Sequence, residues 1–302
     1  MIQPIQIAPN GPTFSRILAG VWKWGVWGHK LDTQAGLSLI EASIDAGVTT
    51  FDHADIYGNY TNEEEFGDAL KLQPSLRDKM QIVTKCGIRM VCENRPEHKV
   101  KTYDTSQAHI VASVENSLRM LHVDKIDLLL IHRPDPLMQV DEVAEAFESL
   151  RKAGKVAYFG VSNFTPRQFD LLHHVFPLVT NQVQASLVHM QPLYDGTFDQ
   201  CMLHGIAPMA WSPLGSGKVF VERTDPAVKR IRALGEELGE TYGCSLDQLL
   251  LAWLMRHPAR VLPILGTARP DRIRDAAKAT GIELSRTDWF RLWEASTGTE
   301  VP

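Results

Sequence analysis

Short, continuously apolar runs recur along the chain at residues 17–20, 48–51, 82–84, 126–131, 156–161, 179–183, 206–210 and 261–265. They do not alternate apolar with polar positions, which is the pattern of strands covered on both faces. Stretches of helical period lie between them. Asp32 or Thr33 can cap a helix running to about Ala46, and Gly47 supplies its stop. Thr61 or Asn62 opens a helix through Leu70, and Glu63, Glu64 and Glu65 suit its positive N-terminal end. Thr105 or Ser106 starts a helix to Leu121, with Ile110, Val114, Leu118 and Leu121 on one face. Further helices are expected over 140–153, from Thr165-Pro166 to about Val175, and over 198–204, 227–242, 245–256 and 270–279. Residues 87–103, 192–196 and 212–225 read as long loops.

Eight strands, each followed by helix, imply parallel pairing through right-handed crossovers. The simplest closure is a single (β/α)8 TIM barrel over residues 1–302, with extra helices and long loops at its C-terminal face. An open doubly wound sheet is the alternative. The 302 residues, 44% of them hydrophobic, suffice for a large core and exclude a disordered chain. A net charge of -5 argues against nucleic acid or a membrane surface as partner. Four cysteines without a C-x-x-C pair argue against a disulfide framework or a thiolate zinc site. The N-terminus has no positive charge before Arg16 and no apolar core, unlike a signal peptide. The longest clearly apolar run, 249–255, is too short to span a bilayer. A soluble, cytoplasmic protein without an obligate protein partner is expected.

In a barrel the loops after the strands build the site. Asp52, Lys85 and His132 each lie where an apolar run meets a loop, and Tyr57 follows Asp52 by five residues. Taken singly, each has a bland explanation: a turn cap, a solvated charge, a packed ring or a rim histidine. Together they suit one chemistry. A phenol with an ordinary pKa of about 10 is a poor acid at neutral pH. A neighbouring ammonium lowers that pKa, and a carboxylate keeps the buried ammonium charged. A histidine can then orient a carbonyl oxygen toward the phenol while a hydride arrives at carbon.

At these residues the chain resembles the aldo/keto reductase superfamily, and the resemblance runs over nearly its whole length. It is carried by Asp52-His-Ala-Asp-Ile-Tyr57-Gly58, Asn62-Glu63-Glu64-Glu65-Phe66-Gly67, Val83-Thr84-Lys85 and Asp124-Lys-Ile-Asp127-Leu128-Leu-Leu-Ile-His132. Gly160-Val-Ser162-Asn163-Phe164, Asn181-Gln182, Trp211-Ser212-Pro213-Leu214-Gly215 and Pro263-Ile-Leu-Gly266-Thr267 follow in family order. Within the family the chain most resembles bacterial YdhF-type oxidoreductases, through His132-Arg-Pro-Asp-Pro-Leu-Met138 and the ending Val301-Pro302.

The resemblance implies NADPH-dependent reduction of aldehydes or ketones. It makes Tyr57 the proton donor, Lys85 its modulator, Asp52 the partner of Lys85, and His132 the substrate-orienting residue. It also implies that Ser162, Asn163 and Gln182 hold the nicotinamide carboxamide, and that Trp211 stacks on the ring where the family often has Tyr. Ser212, Leu214 and Ser216 would follow the pyrophosphate, and Gly20, Val21 and Trp22 the first-strand turn beside cofactor and substrate. Gly266, Thr267 and Arg272 fall in the adenosine 2′-phosphate segment. There Gly266 stands for the usual Lys and Ala276 for an Asn, while Arg269 and Arg274 add charge nearby. NADPH is expected over NADH. Gln184 stands where the family usually has Glu.

Trp22, Trp24 and Trp27 suit either an apolar substrate pocket or packing of the first loop. Asp52-His53-x-Asp55 has metal-ligand residue types but lacks a His-x-His partner, so no metal is expected. Cys86 reads as inert packing. A non-catalytic NADP(H)-sensing regulatory subunit is the alternative function, and it would not need the full set of Asp52, Tyr57, Lys85 and His132.

Overall fold

The computed structural model describes residues 3–222 and 224–301. The first two residues of the N-terminus, and Pro302 of the Val301-Pro302 ending, lie outside the described residues. Eight parallel strands form a closed barrel and pair in sequence order. They are β1 (Leu18–Gly20), β2 (Thr50–Asp52), β3 (Gln81–Cys86), β4 (Ile126–Ile131), β5 (Val156–Ser162), β6 (Asn181–Gln184), β7 (Met209–Trp211) and β8 (Leu262–Leu265). Ile264 opposite Leu18 and Leu265 opposite Ala19 close the ring. The expected barrel is therefore observed. Its strand ends differ from the apolar runs in one respect that matters: Asp52 and Lys85 belong to β2 and β3 rather than to the loops beyond them.

Helices ring the barrel: α1 (Thr33–Asp45), α2 (Asn62–Leu72), α3 (Gln107–Leu121), α4 (Val140–Lys152), α5 (Pro166–Val175), α6 (Thr197–Leu203), α7 (Pro226–Tyr242), α8 (Leu246–Met255), α9 (Pro270–Lys278) and α10 (Arg286–Thr297). The local signals operate as read. Asp32 accepts from Ala35 N, Ser106 accepts from His109 N, and Thr165 forms a reciprocal box with Gln168 ahead of Pro166. On α3 the predicted face Ile110, Val114, Leu118 and Leu121 is buried against the sheet. Gly67 is required by close approach, because a Cβ there would lie 2.1 Å from the carbonyl oxygen of Met120. Its absence lets α2 pack directly on the end of α3.

The structure departs from the sequence reading in several places, among them a short helix, Lys218–Val221, within the expected loop 212–225. Helix α10 was not anticipated; it docks through Trp289, whose ring stacks on Trp253 at 4.9 Å and 7°. Each indole N–H donates to the other residue's backbone carbonyl. The segment 87–103 is not all loop, since Ile88–Arg89 pairs antiparallel with Thr102–Tyr103. A second short hairpin, Ile5–Gln6 with Thr13–Phe14, carries the fully buried Ile7 and Phe14. Among the described residues no helix is long and apolar enough to cross a membrane.

Candidate active site

Parallel pairing brings the ends of β2, β3 and β4 to one rim. Asp52 is in register with Val83, which sets Lys85 two residues further up its strand. Lys85 Nζ donates to Asp52 Oδ2 at 2.9 Å, to the backbone carbonyl of His53 at 2.6 Å, and to Tyr57 Oη at 3.1 Å. Tyr57 reaches this point from the loop after β2. Gly58, Asn59 and Tyr60 all adopt left-handed φ values, and Thr61 Oγ1 ties back to the Gly58 carbonyl. Gly58 is required there, because a Cβ would fall 1.9 Å from Asn62 Oδ1.

Lys85 is 1% and Asp52 3% exposed. Burial disfavours the ammonium, but Asp52 and Tyr57 together hold the Lys85 pKa above its ordinary value. Tyr57 behaves differently from the sequence expectation. Burial raises its pKa, Lys85 pulls it down, and burial prevails, so the phenol keeps its proton beyond its usual range. His132 follows β4 and meets the Tyr57 ring edge-on at 6.1 Å. Burial, then the charges of Lys85, Arg133 and Lys101, hold its pKa well below the ordinary value. The ring is therefore neutral; Nδ1 is buried without a partner.

On the opposite side of the mouth β5, β6 and β7 present a connected polar set. Gln182 Nε2 donates to Asp52 Oδ1 at 2.7 Å. Ser162 Oγ donates to the Gln182 carbonyl, Asn163 Nδ2 donates to Ser162 Oγ at 2.8 Å, and Trp211 Nε1 donates to Asn163 Oδ1 at 3.0 Å. Asn163 is itself left-handed. The structure thus joins Asp52, Tyr57, Lys85, His132, Ser162, Asn163, Gln182 and Trp211 at one end of the barrel.

The remaining expected residues divide. Beyond β7, Ser212, Gly215, Ser216 and Gly217 are all left-handed, and the Ser212 and Ser216 hydroxyls lie 3.0 Å apart. Leu214 sits within this stretch. The Gly215 and Gly217 N–H groups are taken by the Ser212 and Leu214 carbonyls and Pro213 has none, so the exposed Ser212 and Ser216 hydroxyls are the donors this turn offers an anion. Gly266 is exposed with open space around it, and Thr267 Oγ1 accepts from Arg269 N. Arg272 is exposed and has no ion-pair partner among the described residues, whereas Arg269 is bound to Asp271. The basic cluster expected here is thus partly neutralised. Gly20 lies deep, beside the Leu265 carbonyl, and the Val21 side chain is core, with its N–H donated to the Asp52 carbonyl and its carbonyl accepting from Trp24 N and Asn62 Nδ2.

The tryptophans also separate. Trp24 packs between Phe51 and Phe66 in the core. Trp22 is 44% exposed and meets Trp27 edge-on; Trp27 meets Tyr57 at 6.2 Å and donates to Asn59 Oδ1. Two residues that spacing did not reveal are Asn59, which orients Trp27, and Glu63. The sequence places the latter at the N-terminal end of its helix, which leaves its burial open, and it is 4% exposed. His53 packs its ring on Phe66 at 4.4 Å, and no group of metal-ligating side chains occurs among the described residues. Burial pushes the Cys86 thiol well up, as inert packing requires.

A nicotinamide dinucleotide fits these residues. Gln182 Oε1 has no protein partner among the described residues, Trp211 offers an indole face, and the exposed Ser212 and Ser216 hydroxyls suit a pyrophosphate.

The Aldo/keto reductase family model matches residues 16–296. The chain is 47% identical over 305 residues to oxidoreductase YdhF of Escherichia coli K12, covering all of both proteins. It is 42% identical to a 6-dehydroglucose reductase of Agrobacterium fabrum, covering 95% of this chain and 96% of the relative. Among solved structures, the glycerol dehydrogenase AKR11B4 of Gluconobacter oxydans superposes with a TM-score of 0.86 at 26% identity, covering 99% of this chain and 97% of that one.

Proposed function

The chain belongs to the aldo/keto reductase family, and from that premise we propose that it is an NADPH-dependent reductase of aldehydes or ketones with Tyr57 as general acid. The reading takes residues 1–302 as one catalytic domain acting in the cytoplasm on a small-molecule carbonyl. One observation carries it: a buried ammonium, Lys85, is held 3.1 Å from the Tyr57 hydroxyl by the Asp52 carboxylate. A regulatory subunit that only sensed the nucleotide would have no use for this costly arrangement.

The neutral His132 ring donates a hydrogen bond to the carbonyl oxygen and turns it toward Tyr57. A bound reduced nicotinamide supplies the hydride that the carbonyl carbon accepts. Tyr57 gives its proton to the oxygen, completing the alcohol. Lys85 stabilises the phenolate left behind, and Asp52, steadied by Gln182, keeps Lys85 charged. Ser162, Asn163 and Gln182 hold the carboxamide with Trp211 against the ring. The turn from Ser212 through Leu214 to Ser216 receives the pyrophosphate. Gly266, Thr267 and Arg272 meet the adenosine 2′-phosphate, and Gly20, Val21 and Trp22 form the near wall.

The test is NADPH oxidation across a panel of carbonyls. Sugar aldehydes lead the panel, since relatives carry the name 6-dehydroglucose reductase. Tyr57→Phe is expected to lose turnover while still binding NADPH; turnover retained by that variant refutes the assignment.

A further inference from the structure

The paired residues Asn62 and Glu63 open α2, five and six positions after Tyr57, and neither is hydrogen-bonded to Tyr57, Lys85 or His132. Both are nonetheless buried, at 3% and 4% exposure. Glu63 Oε1 accepts from Thr84 Oγ1 at 2.6 Å, and Oε2 accepts from Ser117 Oγ at 2.8 Å. Asn62 Nδ2 donates to the Val21 carbonyl at 3.0 Å and lies 3.5 Å from that of Trp22. One dipeptide thus grips β3, α3 and the turn after β1, while its own loop carries Tyr57.

Thr84 directly precedes Lys85, and neighbours on a strand point to opposite faces. Lys85 therefore faces the pocket and Thr84 the helices. A hydrogen bond at Thr84, unlike apolar packing, fixes both direction and distance. A carboxyl group buried with only two hydroxyl donors is an expensive way to pack a helix on a strand. An apolar pair would do it at lower cost, so stability alone does not account for Glu63. The titratable groups facing it are Lys85, Asp55 and Cys86, and burial raises its pKa to about 7.

We propose that Asn62 and Glu63 are positioning residues of the reductase site: Glu63 fixes the placement of Lys85 through Thr84, and Asn62 fixes the turn at Val21 and Trp22. The inference rests on the roles of Tyr57 and Lys85 given above. Neither residue meets substrate or cofactor.

The test compares Thr84→Val, Thr84→Ser and Glu63→Gln in the full-length protein. Two readouts are used: steady-state kinetics with NADPH and an aldehyde, and ultraviolet difference titration of the Tyr57 phenolate against Tyr57→Phe. Thr84→Val keeps the shape and removes the hydroxyl. It is expected to lower kcat by about tenfold, leaving KM for NADPH within about twofold. It should also move the Tyr57 titration upward, because the displaced ammonium stabilises the phenolate less. Thr84→Ser should restore both. Glu63→Gln should lower kcat without adding to Thr84→Val in the double variant. Asn62→Ala should raise KM for NADPH more than it lowers kcat.

A Thr84→Val protein that melts earlier yet keeps wild-type kcat and Tyr57 titration overturns the proposal. If Glu63→Gln does not fold, the Thr84 pair still decides. The titration needs no turnover. A wild-type protein that fails to oxidise NADPH would therefore refute the proposed activity and leave the positioning readout intact.

Discussion

Gln182 lies 130 residues beyond Asp52 in sequence and donates its side-chain amide to Oδ1 of that carboxylate at 2.7 Å. Lys85 occupies the other oxygen. The two bonds together fix which way the carboxylate faces and link β6 to the Lys85 and Tyr57 side of the mouth. Gln182→Met has similar length and no donor. It should leave a buried carboxylate oxygen unpaired, at a cost of about 1–3 kcal/mol, and lower both Tm and affinity for NADPH. Gln182→Glu should be worse, because two carboxylates that close cannot both stay ionised. Thermal unfolding and fluorescence titration with NADPH distinguish the two variants. Equal stability of Gln182→Met and wild type would show that the bond does not hold Asp52.

Lys85→Met removes the charge that balances Asp52 inside the barrel. An unpaired buried carboxylate costs about 3–5 kcal/mol, so the variant should melt earlier as well as lose turnover. Asp52→Asn added to it should recover much of the stability and none of the activity, since Tyr57 still lacks the ammonium. Denaturant unfolding beside the NADPH assay separates these effects. A double variant no more stable than Lys85→Met would mean that the loss comes from packing.

The barrel was legible because its strands are covered on both faces and so read as apolar runs. Asp52, Lys85 and His132 were legible because each ends such a run. What lay beyond reach was contact across the ring. No local pattern tells that Gln182 on β6 meets Asp52 on β2, because the barrel's closure brings them together. The burial of Glu63 was not legible for a related reason. The residue's position at a helix start leaves burial open, and only the seat of α2 on α3, made possible at Gly67, buries it. Helix α10 was missed because its charged and polar residues outweigh its apolar ones, and its docking depends on two distant tryptophans stacking. Trp24 and Trp27 lie three residues apart, yet one fills the core and the other faces Tyr57.

Arg272 and Arg269 should contribute unequally to the choice of nucleotide. Arg272 is exposed and has no acidic partner among the described residues, while the guanidinium of Arg269 is already satisfied by Asp271. An unpaired guanidinium is available for a phosphate. Arg272→Ala should raise KM for NADPH by about tenfold and leave that for NADH nearly unchanged, whereas Arg269→Ala should change both little. Raising the salt concentration should weaken NADPH binding in wild type and less so in Arg272→Ala. Equal losses with the two nucleotides would place the 2′-phosphate elsewhere.

His53 and Glu63 should give the fold opposite responses to pH. Burial and then the charge of Lys85 lower the His53 pKa from 6.5 to about 3. Burial raises that of Glu63 from 4.5 to about 7, against the pull of its two hydroxyl donors and Lys85. Between pH 6.5 and 3 the unfolded chain binds a proton at His53 that the folded chain refuses. Stability from His53 is thus fully present above pH 6.5 and lost on acidification. Between pH 4.5 and 7 the folded chain keeps a proton at Glu63 that the unfolded chain releases. Stability from Glu63 is thus present below pH 4.5 and lost as pH rises. Each slope is about 1.4 kcal/mol per pH unit, so the two nearly cancel between pH 4.5 and 6.5. His53→Leu should therefore gain on wild type with each step of acidification below pH 6.5 and run parallel to it above. Glu63→Gln should gain on wild type as pH rises from 4.5 to 7 and run parallel outside that window. His132 adds to the His53 trend in every protein compared, so the His53→Leu difference isolates that group, whereas the Glu63→Gln difference also carries the part of the raised Asp55 pKa that the Glu63 charge causes. Urea unfolding at a series of pH values measures them, and variant curves parallel to wild type throughout would show that neither group is desolvated in the folded protein.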